Sequence, residues 1–223
     1  MIGFPNETIG QIWDTINLAR EIVLDWYGIQ IVIFLSNAAM GKEMLQKGLL
    51  TEQSIVDAQF FAGSLGKQQS RERSEDRIVP EFRGMDILRR SKDYVPTEDE
   101  LKDIWLVVDY LVNYERILPE TNPVKLQLKL LFLQDVCKRK TVRNPLSTMF
   151  LGIIEVKLGL MDQAQAHFRD AHVFMERSAF WKTRCISLGL DKTLEDWEVK
   201  SVTSYPGLLE AEHAPTRGPG IAN

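Results

Sequence analysis

Three histidines, two cysteines and a glycine–lysine pair are the residues through which this chain could do chemistry. His167 and His172 lie five positions apart on a predicted helix, which turns them onto different faces. A zinc-holding helix spaces its histidines by four. Asp170 nearby does not complete a ligand set, so both imidazoles read as solvated side chains and no metal site is expected. The segment NAAMGKE, Asn37 to Glu43, follows an apolar run as a phosphate-binding loop would. That loop needs glycine where Ser36 stands and serine or threonine where Glu43 stands, so Lys42 reads as a surface residue. GxSxG, HExxH and GxGxxG are all absent. The expectation is a non-enzymatic chain with no catalytic residues and no cofactor. A site assembled from distant residues stays open at this point.

Composition narrows the class. Hydrophobic residues make up 44% and charged ones 26%, the balance of a globular protein. A net charge of −4 gives bulk nucleic-acid binding no support. The basic cluster CKRKTVR, Cys137 to Arg143, reads as the cationic end of a helix, with nucleic acid or acidic lipid as the alternative. Cys137 and Cys185 are far apart and form no CxxC, which reads as two thiols in a reducing compartment. The start, MIGFPNETIGQIWD, has no basic region followed by an apolar stretch, and Glu7 and Asp14 come early. A cytoplasmic protein is therefore expected. Ile22 to Met40 is apolar, but its uninterrupted core, Ile31 to Leu35, is far shorter than the ~20 residues of a spanning helix. It reads as buried core. Whether Ile29 to Met40 is strand, core helix or membrane-associated stays open.

The elements that would position any site are helical. Asn6 can cap a first helix with Glu7 in its first turn, and Ile9, Ile12, Trp13, Ile16, Ala19 and Val23 form its apolar face, with Gly28 ending or bending it. A helix over 37–47 ends at Gly48, and another runs from Thr51 to Leu65. GKQQSRERSEDR, Gly66 to Arg77, has no apolar residue and reads as a mobile loop in which Ser74 could be modified. A short helix follows around Glu81 to Arg90. Thr97 and Glu100 form a capping box ahead of the stripe Leu101, Ile104, Trp105, Val108, Leu111 and Val112. Asn122-Pro123 opens VKLQLKLLFLQDV, whose alternation suggests a strand but whose length and leucine content favour a helix. Asn144-Pro145 opens the next, and two helices over 178–190 and 193–202 close the chain before a loose tail. The domain reading is an N-terminal helical segment (1–66), a mobile linker with a short helix (67–96), a helical domain (97–202) and a disordered tail (203–223).

The most patterned stretch is GIIEVKLGLMDQAQAHFRDA, Gly152 to Ala171. Gly159 joins two helices, Gly152 lies inside the first, and Ala164, Phe168 and Ala171 line one face of the second. A mid-helix glycine costs ~0.8–1 kcal/mol relative to alanine, so it implies close approach of the partner helix. Leu151-Gly152, Gly159 and Ala164-x3-Phe168 with Ala171 resemble the tetratricopeptide repeat, over about 34 residues. Thr148 stands where that family has tryptophan, Glu155 where it has tyrosine and Glu176 where it has proline. The resemblance implies an all-α fold of helical hairpins, extending to an irregular α-solenoid. It also implies that Leu146, Met149, Ile153 and Val156 line a groove for an amphipathic helix or apolar peptide of a partner protein. The carboxylate-clamping Lys, Asn and Arg of the chaperone-binding members are absent from those positions. The implied role is a scaffold or adaptor for protein–protein interaction. The competing readings are an irregular helical bundle acting as an enzyme or small-ligand binder, and a peripheral membrane protein.

Overall fold

The computed structural model describes residues 1–22, 24–32, 35–48, 51–53, 81–138 and 144–203. These residues are all-α, with nine α-helices and a single isolated bridge between Ile2 and Ile31. The expected mobile loop, the body of the 51–65 helix, most of the basic cluster and the tail lie outside the described residues.

Helix α1 (Ile9–Glu21) starts with a Thr8–Gln11 capping box rather than at Asn6. Asn6 has a φ of +59°, and the Glu7 carboxylate turns back to accept the N–H groups of Gly3 and Phe4. Ile9, Ile12, Ile16 and Ala19 are buried at helical spacing, as expected, and Trp13 donates to the Leu88 carbonyl at 2.9 Å. The helix stops at Glu21, ahead of Gly28, and residues 24–32 run outside any helix, with a bend at Asp25 and a bridge from Ile31 to Ile2. Helix α2 (Ala39–Gln46) follows.

Helix α3 (Gly84–Leu88) sits where the short helix is expected, but its surroundings are no linker. Phe82, Ile87, Leu88 and Pro96 are buried, because this segment fills the space beside α4 (Glu98–Asp109). One hydrophobic cluster runs from Ile2 to Leu194, so the described N-terminal residues share the core of the C-terminal helices. The Thr97–Glu100 capping box opens α4 as expected. Its continuation is not α-helical: Tyr110–Tyr114 form a π-turn and Glu115–Ile117 a 3-10 turn.

Asn122 caps α5 (Pro123–Lys138) through Val124 N–H at 2.9 Å, which settles the strand–helix ambiguity in favour of helix. Asn144 and Ser147 form the capping box of α6 (Pro145–Lys157), and every residue from Pro145 to Val156 is buried. Helices α7 (Met161–Arg177), α8 (Ala179–Ser187) and α9 (Leu190–Thr203) complete the chain. Helix α6 packs against α5, α7 and α9, and α7 against α8 and α9. Arg184 of α8 reaches Asp103 of α4 at 3.0 Å and ties the last helices to the first of this group.

The hairpin α6–α7 is built as its residues require. Gly159 holds a φ of +79°, a left-handed turn that costs other residues strain. Leu151, Gly152, Ala164, Phe168 and Ala171 are all buried within it. A Cβ at Gly152 would lie 2.6 and 2.8 Å from the Phe168 ring and 3.2 Å from the Ala164 carbonyl oxygen. Gly152→Ala therefore overpacks a site whose ring is fully buried. Overpacking costs ~1–3 kcal/mol, against a helix-propensity gain of ~0.8–1 kcal/mol. Thermal unfolding followed by circular dichroism should show a net loss of up to about 2 kcal/mol; a gain would mean that the Phe168 ring gives way freely.

Candidate partner-binding site

Residues 24–32 form an extended strap laid against the π-turn, α4 and α5, and the polar groups that hold it act on its backbone. Asn113, fourth residue of the π-turn and 1% exposed, reads Tyr27 twice. Its Oδ1 accepts the Tyr27 N–H at 2.7 Å and its Nδ2 donates to the Tyr27 carbonyl at 2.9 Å. Trp105 Nε1 donates to the Ile29 carbonyl at 2.8 Å, Lys129 Nζ to that of Asp25, and Arg116 to that of Leu24 at 3.4 Å. Trp26, Tyr27, Ile29 and Ile31 of the strap pack against the core. Trp26 packs edge-on to Tyr114 with ring centroids 5.1 Å apart and tilted on Phe132 at 4.5 Å.

The π-turn makes this arrangement possible. Each turn of a π-helix takes in more residues than an α-turn, and such turns recur at functional sites. Tyr110 to Asn113 and Tyr114 are five consecutive buried residues. Tyr110 and Tyr114 face Phe150 of α6, while Asn113 faces the strap.

Asp109, one turn before Asn113, accepts from Asn113 Nδ2 at 2.7 Å and so fixes which way the amide points. Burial raises its carboxyl from 3.8 to about 6, and the Asn113 hydrogen bond offsets only part of that rise. Burial also lowers the Lys129 ammonium, with Arg116 adding to the effect and Asp25 and Glu120 opposing it. The Tyr114 phenol is pushed well above its ordinary value by burial and then by Asp109.

Helix α5 borders the strap and carries an unusual outer face. Wound at 3.6 residues per turn, its alternating sequence puts apolar side chains on both sides. Leu126, Leu130 and Leu133 face the core, whereas Val124, Leu128, Leu131 and Phe132 are 67%, 49%, 56% and 41% exposed. Phe132 joins this stripe to Trp26.

The expected groove is not there. Leu146, Met149, Ile153 and Val156 are 1%, 3%, 0% and 9% exposed and belong to the core. Helix α6 is enclosed by α5, α7 and α9, so the face expected to receive a partner is already covered. His167 differs from the solvated side chain expected, whereas the His172 side chain is 42% exposed. His167 Nδ1 lies 2.7 Å from Oε2 of the fully buried Glu155, and His172 Nε2 lies 2.9 Å from Glu198. Among the described residues no group of three His, Cys, Asp or Glu is placed to hold a metal. A cleft of about 560 Å³ opens between α3, the π-turn and the α8–α9 turn. Its charged lining mixes Arg83 and Arg89 with Asp86 and Glu115, and no acid–base pair converges on it.

Asn113, Asp109 and the strap escaped sequence reasoning, although a signal existed. Asp109 and Asn113 stand four apart inside the apolar run IWLVVDYLVNYERIL, and polar groups so placed require partners. No protein-family model, no curated protein and no solved structure matches this chain. The site therefore rests on its own geometry.

A carboxyl with a raised folded-state value holds its proton more tightly when folded than when unfolded. The stability contributed by Asp109 is greatest below about pH 4 and falls as pH rises through about 6. Above that, its buried anion costs at most about 3 kcal/mol. Asp109→Asn keeps an acceptor for Asn113 and removes the charge. Its melting temperature should exceed that of the unsubstituted chain at pH 7.5, and the gap should shrink to about half by pH 5 and close below about pH 4. A constant gap across that range would contradict the burial of the Asp109 charge.

Proposed function

We propose that this chain is a non-enzymatic, cytoplasmic scaffold or adaptor that docks an amphipathic helix of another protein on the outer face of α5. The observation that carries the reading is the exposed stripe Val124, Leu128, Leu131 and Phe132. A helix apolar on all sides is ordinarily buried on all sides. Half of α5 is covered by its own chain, and a partner's apolar face is the natural cover for the other half. A tetratricopeptide-like arrangement of the pairs α6–α7 and α8–α9 is part of this reading. The Gly152–Phe168 and Ala164 packing supports it. The cytoplasmic setting is supported by Cys137 and Cys185, which are free thiols. Among the described residues, no helix is long and apolar enough to cross a membrane.

The exposed face offers a test that leaves the core intact. Leu128→Glu with Leu131→Glu should give an unchanged circular dichroism spectrum and a melting temperature within a few degrees of the parent. Met149→Glu with Ile153→Glu, by contrast, puts two charges into a closed core and should unfold the chain. In capture from a native extract, a partner retained near-stoichiometrically by the parent should be lost by the α5 variant. Identical partners on both forms would overturn the docking role of α5.

A further inference from the structure

We propose that the groove holding residues 24–32 is a receptor for an extended peptide of another protein, one that carries an acidic residue directly before an aromatic pair, and that the strap is its built-in competitor. This goes beyond helix docking on α5 and does not depend on it.

The first reason is what the groove reads. Its side-chain contacts fall on the backbone of residues 24, 25, 27 and 29, through Arg116, Lys129, Asn113 and Trp105, and the Ile2 backbone pairs with Gln30 and Val32 at 3.0 and 2.8 Å. Backbone recognition of an extended chain imposes no particular sequence on the occupant, as in strand-addition binding. Asn113 is committed to it: a buried amide with both polar atoms engaged is costly to leave unpaired, so an empty groove is disfavoured and some extended chain must fill it.

The second reason is how shallowly the strap sits. None of its described residues is fully buried; Leu24, Asp25, Gly28 and Gln30 are exposed, and Trp26, Tyr27, Ile29, Ile31 and Val32 are only partly covered. The core cluster closes beneath it through Tyr114 and Val112 without any strap residue among its buried members. Segments held this way open locally, ahead of global unfolding.

Side-chain preference comes from two features. The slot between Tyr114 and Phe132 takes the Trp26 ring, and Arg116 lies over the Tyr27 ring at 5.6 Å. The charges facing Lys129 are Arg116 and Lys125 against Asp25 and Glu120. Arg20 is already paired with Glu115 at 3.1 Å. When the strap leaves, Asp25 leaves with it. Three cations then face one anion, which selects an incoming carboxylate at the same position.

A labelled synthetic peptide, LDWYGIQIV, with the sequence of residues 24–32, serves as the probe. Trp26→Ala in the full chain loosens the strap without touching the groove. By fluorescence anisotropy this variant should bind the peptide at least tenfold more tightly than the parent chain. Adding Asn113→Ala should lose at least tenfold, as should a peptide with lysine in place of its aspartate. Leu128→Glu with Leu131→Glu should leave peptide binding in place, which separates this site from the α5 face. A folded Trp26→Ala variant that ignores the peptide, or binds it equally with and without Asn113, would overturn the proposal. Should Trp26→Ala fail to fold, the parent chain with excess peptide replaces it: faster exchange of the Tyr27 amide supports displacement, and unchanged exchange overturns it. A peptide-sensitive dimer of the parent chain would overturn the choice of a foreign occupant in favour of a second copy's strap.

Discussion

The structure depends on one helix having no outside. Every side chain of α6 from Pro145 to Val156 is buried, so the chain must supply neighbours in all directions around it. Helices α5, α7 and α9 pack against it, and the Tyr110 and Tyr114 rings reach Phe150. Burial on all sides also obliges its polar groups to find partners close at hand. Thr148 and Ser147 hydroxyls both donate to the Asn144 carbonyl at 2.9 Å, within the first turn. Glu155 has no such local donor: its Oε2 is met by His167 Nδ1 across the hairpin, and its buried Oε1 has no hydrogen-bond partner. Gly152 permits the approach of α7 that brings that imidazole within reach.

The strap groove follows from the same constraint. The helix over 98–117 must turn Tyr110 and Tyr114 toward α6 and still place polar Asn113 at an edge where backbone is available. A continuous α-helix fixes those directions 100° apart per residue, and the π-turn resets them. The carboxylate that orients Asn113 carries an electrostatic penalty at neutral pH, as its raised value shows. The amide sits beside the face of α5 whose apolar side chains Val124, Leu128, Leu131 and Phe132 are exposed among the described residues.

Much of this was legible in the sequence. The capping box at Thr97, the Asn122 and Asn144 caps, the left-handed turn at Gly159 and the close helix approach at Gly152 are local statements, and local chemistry is enough to make them. Periodicity also identified α6 as apolar, but an apolar face does not say which neighbour covers it. Leu146, Met149, Ile153 and Val156 were therefore placed on a groove that α5, α7 and α9 fill. The exposed stripe of α5 lay hidden in an alternating pattern whose meaning depends on helix or strand. Residues 24–32 carried β-branched and aromatic side chains without a partner strand in the sequence, because most of their hydrogen bonds go to side chains of distant helices. His167 looked solvated because Glu155, twelve residues away, meets it only once the hairpin closes.

Native-state hydrogen exchange on the intact chain, with and without Asn113→Ala, tests most directly whether the strap is a separately releasable element on a closed core. Amides of α6 should exchange only through global unfolding and be unchanged by the substitution. The Tyr27 amide should be protected in the parent, less so than α6, and should lose at least tenfold of that protection in Asn113→Ala. A Tyr27 amide that is unprotected in the parent, or that exchanges only together with α6, would contradict the account.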